Sequence, residues 1–337
     1  MNEYPFVSIV IPVRNVAGII GQCLASLNNL NYPKDRYEVI IADSESTDQT
    51  PTLVRQAGAI YLSTAKRSVC AGRNEGFKIA RGEIIAFSDA DCVMDKDWIK
   101  NSLKYFKDPT VGGVGGPNLT PEDETDFGQA VGFVIDRAIF SAGSIYGRVL
   151  PRVKEVVSIP GCNMIFKREA LQKVMPLDET IYGGEDFATN QQVRALGYRL
   201  LYTPDTFVWH YRRPTPKRFF KQMFRYGVSR LIIGKKNRHW INFVHIAAGL
   251  GIPLLVVVSV ALILIKPLWF LFLVALGLLF LAFYFFLAWL KLRSAKAAVL
   301  APYVIIILFL SWSLGFMKEL IDPIKEGEEK TSASPTA

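Results

Sequence analysis

Three stretches of hydrocarbon side chains fix most of what this chain can become. Residues 246–265, 268–290 and 297–317 carry no charged side chain. Each is long enough to cross roughly 30 Å of hydrocarbon, which takes about 20 residues in a helix. Only Lys266-Pro267 separates the first two, so they are predicted to form a tight hairpin. With no charged residue inside the spans, nothing indicates an ion or proton path. Residues 1–240, in contrast, carry charges throughout, as a soluble domain does. The expected organisation is a soluble domain over 1–215, a basic amphipathic helix over 216–240, a membrane region over 241–318 and a flexible tail over 319–337.

The charge pattern orients this arrangement. The chain has a net charge of +9, and its basic residues cluster. Arg212, Arg213, Lys217, Arg218, Lys221, Arg225, Arg230, Lys235, Lys236 and Arg238 follow one another with no Asp or Glu between them. No nucleic-acid motif accompanies them, so nucleic acid is not an expected partner. Among the basic residues, Phe219, Phe220, Met223, Phe224, Val228, Leu231 and Ile232 recur at spacings of three and four. That pattern predicts a helix in the headgroup layer, with packing into the soluble domain as the alternative. The belt and the 291–296 loop, with Lys291, Arg293 and Lys296, are expected on the cytoplasmic side. The tail, richer in acidic residues, is expected outside and disordered at its end. The apolar run Phe6–Val13 is short, contains Pro12 and lacks a basic flank, so it does not read as a signal peptide. Cys23, Cys70, Cys92 and Cys162 form no Cys-x-x-Cys pair, which suits a reducing compartment. These features predict a multi-pass plasma-membrane protein with a cytoplasmic N-terminal domain. In that compartment the glycosylation-like Asn118-Leu119-Thr120 is accidental.

Within the soluble part, apolar runs begin near residues 7, 38, 59 and 83, with room for one helix in each gap. This alternation predicts a parallel, doubly wound sheet. Open sheets of this kind bind ligands beyond the carboxyl ends of their strands. The first, second and fourth runs end in Arg14-Asn15, Asp43 and Asp89-Ala90-Asp91, which brings these polar groups to one edge. Asp89 and Asp91 repel each other and are costly to bury unpaired. A divalent cation, Mg²⁺ or Mn²⁺, relieves both problems; the alternative is a helix cap beside a solvated carboxylate. Neither Gly-x-Gly-x-x-Gly nor the P-loop pattern is present, which excludes the common dinucleotide and P-loop sites. Gly112–Gly116 reads as a strand with close backbone approach. Further strands are expected at 163–167, 200–202 and 207–209, and helices near 126–141, 168–174 and 185–196. Tyr182-Gly183-Gly184-Glu185-Asp186 turns tightly into the last of these, and Asp186 reads as a general base or a helix cap. His210, directly after a strand, reads as a third metal ligand, a phosphate contact or a structural histidine.

Taken together, the motifs resemble the family 2 glycosyltransferases of the GT-A fold. The matching pieces are Val7–Asn15, Asp43 with Ser46-Thr47-Asp48, Gly72-Arg73-Asn74-Glu75-Gly76, Asp89-Ala90-Asp91 and Gly184-Glu185-Asp186. The resemblance implies an α/β fold with a mixed, mostly parallel sheet, followed here by the three-helix membrane region. It implies inverting transfer of a sugar from a UDP- or GDP-linked donor to a lipid-linked or glycan acceptor at the membrane. Pro12, Arg14, Asp43, Arg73, Asp89, Glu185 and Arg225 are then expected on the nucleotide sugar. Asp89, Asp91 and His210 are expected on Mg²⁺ or Mn²⁺, and Asp186 is expected to be the catalytic base. Three departures stand out: Val16 where the family often has an acid, Asp43-Ser44 where it pairs two Asp, and Gln222-x-x-Arg225-Tyr226 where processive members end in Trp. The last favours one sugar per encounter over a processive polysaccharide synthase. A degenerate, non-catalytic sugar-nucleotide scaffold is the non-enzyme alternative.

Overall fold

The computed structural model describes residues 4–137, 139–140, 145, 147–181 and 183–323. Tyr182 of the glycine turn, residues 142–144 and 146 of the loop expected over 142–158, and the tail beyond 323 lie outside the described residues. By its contacts the chain divides into two units, one of Met1–Pro121 with Ser144–Tyr211, the other of Glu122–Gly143 with Arg212–Gly327.

The first unit opens with β1 (Val7–Val13), α1 (Ile20–Asn28), β2 (Tyr37–Asp43), α2 (Thr50–Gln56), β3 (Ile60–Ser63), α3 (Val69–Ile79) and β4 (Ile84–Phe87). It continues with β5 (Cys92–Met94), α4 (Trp98–Leu103), β6 (Val111–Gly115) and β7 (Asn118–Leu119). The chain then gives α5 (Asp126–Ile135) to the second unit. It returns with β8 (Lys154–Glu155), β9 (Met164–Lys167), α6 (Arg168–Leu171), α7 (Glu185–Ala195), β10 (Arg199–Tyr202) and β11 (Val208–His210). Among the described residues an eight-stranded sheet runs β3-β2-β1-β4-β9-β6-β10-β8. Strands β3, β2, β1 and β4 are mutually parallel, as the alternating pattern requires. β9 enters antiparallel between β4 and β6, and β10 runs parallel to β6, so the sheet is mostly parallel. Both faces are covered. Ile9, Ile11, Ile41 and Ile84 pack into one apolar cluster, and Val10, Ile40, Ile85 and Phe87 into another. Burial on both sides is why these strands read as continuous apolar runs. In a small second sheet, β5-β11-β7, the strand expected at 207–209 is present as β11, whereas β5 and β7, at three and two residues, were not legible.

The second unit holds α5, α8 (Pro216–Lys236), α9 (Phe243–Ile265), α10 (Pro267–Lys291) and α11 (Ala295–Ile321). The last three are long and apolar enough to cross a membrane. They differ in how the protein covers them: the most apolar windows of α9 and α10 are 6% buried, that of α11 50%. The cover comes from α5 and α8, whose Phe127, Val131, Phe219 and Met223 pack with Val304, Ile307 and Leu308. Thus the apolar face of α8 is spent on α11. The two helices meet backbone to backbone. A Cβ on Gly227 would lie 2.1 Å from the Trp312 carbonyl oxygen, and one on Gly315 1.9 Å from that of Phe224. Gly227→Ala is therefore expected to push the helices apart at a cost of about 1–3 kcal/mol. The check is the thermal midpoint in detergent, which should fall; an unchanged midpoint contradicts this packing.

Candidate active site

The site is assembled at the carboxyl ends of β1, β2 and β4. Val13 and Asp43 are register partners at the ends of β1 and β2, with Arg14 next in the chain. Pro12 marks where α3 lies close on β1, since a Cβ on Gly72 would come 2.7 Å from its Cβ. The Asp43 carboxylate is fully buried and already employed. It accepts from Ser46 Oγ at 2.5 Å and from the Tyr61 hydroxyl at 2.9 Å. Asn15, at φ +50°, ties the first loop to the second: its amide donates to Ser46 Oγ at 2.7 Å, and its Oδ1 accepts from the Thr47 amide at 2.8 Å. Sequence reading expected Asp43 on the nucleotide sugar; its protein partner Tyr61, from the neighbouring strand, was missed.

Beyond β4, Asp89 and Asp91 bracket Ala90, and β5 follows at once. Because β11 pairs antiparallel with β5, His210 stands opposite Cys92, and the Tyr211 amide donates to the Asp91 carbonyl at 2.9 Å. This register sets His210 Nε2 3.3 Å from Asp91 Oδ1. One donor atom each from Asp89, Asp91 and His210 lies within 4.8 Å of the others. Enclosure by the surrounding chain, opposed by Arg73 and reinforced by Asp91, raises the Asp89 carboxyl to about 7, although 36% of that side chain is exposed. Burial opposes charge on His210, but Asp91 and Cys162 outweigh it and raise the imidazole to about 10. Two crowded carboxylates with one nitrogen form a donor set that fits a small divalent cation.

Arg73 joins this group to α7. Its guanidinium is 1% exposed; Nη2 lies 3.6 Å from Asp89 Oδ1 and Nη1 3.0 Å from Glu185 Oε1. Nη2 also donates to the Gly161 carbonyl at 3.2 Å. The same residue's amide donates to Asp186 Oδ2 at 3.0 Å, while Asp186 Oδ1 accepts from the Phe187 amide at 2.7 Å. Gly184 (φ +75°), a backbone that favours glycine, starts α7 so that both acids fall in its first turn. Burial and then the neighbouring Glu185 carboxylate raise Asp186 to about 6. Asp89, Asp91, His210, Arg73, Glu185 and Asp186 are thus one connected group. Arg73 and Glu185 face each other in it, and Arg225 lies on α8 of the second unit. Gly161 was missed by sequence reading, which saw only a loop before a strand; Pro160-Gly161 was the available turn signal.

A sequence profile described as "Glycosyl transferase family 2" matches residues 8–175. The chain belongs to this family. Glycosyltransferase AglE of Haloferax volcanii is 26% identical to the transferase over 247 residues, 70% of this chain and 77% of that protein. A second relative, from Methanococcus voltae, is 27% identical over 247 residues, 68% and 74% of the two chains. Its name is dolichyl N-acetyl-alpha-D-glucosaminyl phosphate 3-beta-D-2,3-diacetamido-2,3-dideoxy-beta-D-glucuronosyltransferase. A mannosyltransferase from Pyrobaculum calidifontis, solved with GDP-Man and Mn²⁺, shares the fold at a TM-score of 0.67 and 22% identity. That likeness covers 95% of the transferase and 88% of the solved chain. The expected GT-A architecture followed by long apolar helices is therefore present. The matches favour neither the polymerising nor the non-catalytic alternative.

Proposed function

We propose that the chain moves one sugar, with inversion, from a UDP- or GDP-linked donor to a lipid-linked or membrane-adjacent acceptor at the cytoplasmic face of the plasma membrane. The observation that carries this reading is the connection of Asp89 to Asp186 through Arg73 and Gly161. Asp89, Asp91 and His210 would hold Mg²⁺ or Mn²⁺. When bound, that ion acts as a Lewis acid toward the leaving nucleoside diphosphate. Asp186 takes the proton of the acceptor hydroxyl as its oxygen bonds to the anomeric carbon. The bond to the diphosphate oxygen breaks on the opposite face, so no covalent nucleophile is needed. The Gly161 and Phe187 amides fix both oxygens of that base. Arg73 and Glu185 act on the donor through the groups they hold, and Asp43, with Ser46 and Tyr61, shapes the nucleoside end.

The membrane acceptor is supported by the relative named for a dolichyl phosphate-linked one and by the three apolar helices of this chain. The exposed Lys217, Arg218 and Lys221 of α8 suit an anionic headgroup layer on the cytoplasmic side. The test is transfer of radiolabelled sugar from each nucleotide sugar to polyprenyl-phosphate-linked acceptors, with the product anomer read by NMR. One added sugar of inverted configuration is expected; a polymer or retained configuration overturns the reading. The raised Asp186 carboxyl also sets a pH dependence. A base works ionised, so with saturating cation, which keeps Asp89 ionised, kcat should be flat above about 6 and fall tenfold per pH unit below it. A profile flat down to pH 4.5 would remove Asp186 from the role.

A further inference from the structure

Beside the acidic pair lies a second donor set, which shares His210 with it and adds two cysteines that sugar transfer does not use. Cys92 stands directly opposite His210 in the β5–β11 ladder. Cys162, from the 161–163 turn, brings its Sγ to 3.8 Å from His210 Nδ1. The two sulfurs and the imidazole nitrogen lie within 4.8 Å of one another, and both cysteines are free. Zinc bonds sulfur at about 2.3 Å and imidazole at about 2.0–2.1 Å, so a tetrahedral ion wants ligand atoms about 3.5–3.8 Å apart. The observed set closes on such an ion with movements of about 1 Å at most. Its surroundings also suit zinc. A zinc-bound imidazole commonly gives its other N–H to a carboxylate, and His210 Nε2 lies 3.3 Å from Asp91 Oδ1. Asn118 Nδ2 donates to Cys162 Sγ at 3.4 Å, as a metal thiolate would accept.

We propose that Cys92, Cys162 and His210 form a site for a thiophilic divalent cation, zinc or cobalt, which competes with the catalytic ion for His210. The competition follows from the imidazole, which offers one unprotonated nitrogen at a time. Zinc on Nδ1 leaves the Nε2 proton on the side of Asp91. A catalytic ion on Nε2 leaves the Nδ1 proton facing Cys162. Each occupancy therefore weakens the other by the same factor. Zinc binding releases the thiol protons to solvent, so it strengthens as pH rises. Only the competition rests on the function proposed above; the site itself does not.

Cobalt titrated into the full-length protein in detergent tests the site. A sulfur-to-cobalt charge-transfer band is expected, displaced by zinc and lost in C92S/C162S, which retains Cys23 and Cys70. No band, or a band that survives the double substitution, overturns the site. In the transfer assay with manganese, zinc should inhibit the wild type at a concentration at least tenfold lower than C92S/C162S, whose activity without zinc is retained. Equal inhibition of the two would overturn the competition. Should the protein transfer no sugar at all, the proposed function fails while the cobalt band still decides the site.

Discussion

Asp186→Asn is expected to lower kcat about 10²–10⁴-fold, the usual contribution of a positioned general base. The substitution keeps the size and one acceptor oxygen of the side chain but removes the proton-accepting carboxylate. Nucleoside diphosphate affinity should be unchanged, because the hydrogen bonds that join Asp186 to Arg73 run through Gly161, whose amide and carbonyl the substitution leaves in place. The pH step near 6 should vanish with the carboxylate that causes it. A kcat within threefold of wild type, with the step intact, would assign the base elsewhere.

Arg73→Met should be strongly destabilising. The guanidinium is 1% exposed and compensates Glu185, whose side chain is 16% exposed, and Asp89. It also lies 5.3 Å from the centre of the Phe87 ring. Removing one partner of a buried ion pair strands the other and costs about 3–5 kcal/mol. Asp89 keeps 36% of its side-chain surface, and solvent screens that half of the loss. About 3 kcal/mol is therefore expected, or about 6–12 °C in the thermal midpoint at about 2–4 °C per kcal/mol. Arg73→Lys should not rescue it, since a point charge cannot reach Glu185, Asp89 and the Gly161 carbonyl together. A midpoint within 2 °C of wild type would mean the carboxylates are held by other groups.

The parallel half of the sheet was legible because β1, β2 and β4 are buried on both faces, and their apolar runs end where Asp43 and Asp89 begin. The tight turn that puts Asp186 at the start of α7 was legible because two glycines precede two acids. What escaped depends on contacts distant in sequence. Arg73 meets Glu185 across 112 positions, and Asp43 meets Tyr61 from an adjacent strand. Neither leaves a periodic trace. Gly161 acts through its backbone amide and carbonyl, which any residue possesses. The partner of α5 was equally hidden: Phe127, Val131 and Val134 predict a buried face but not that α11 covers it.

The proposed function rests on a cation held by residues 89, 91 and 210 while the nucleotide departs. Thermal shift of the full chain with uridine and guanosine diphosphates, each with and without Mn²⁺, addresses it directly, with Asp91→Asn alongside. One of the two nucleotides, at a hundred times its Kd, should stabilise wild type by about 2.7 kcal/mol with the ion. Little shift should occur without the ion or in the variant. Equal stabilisation in all three cases would contradict it.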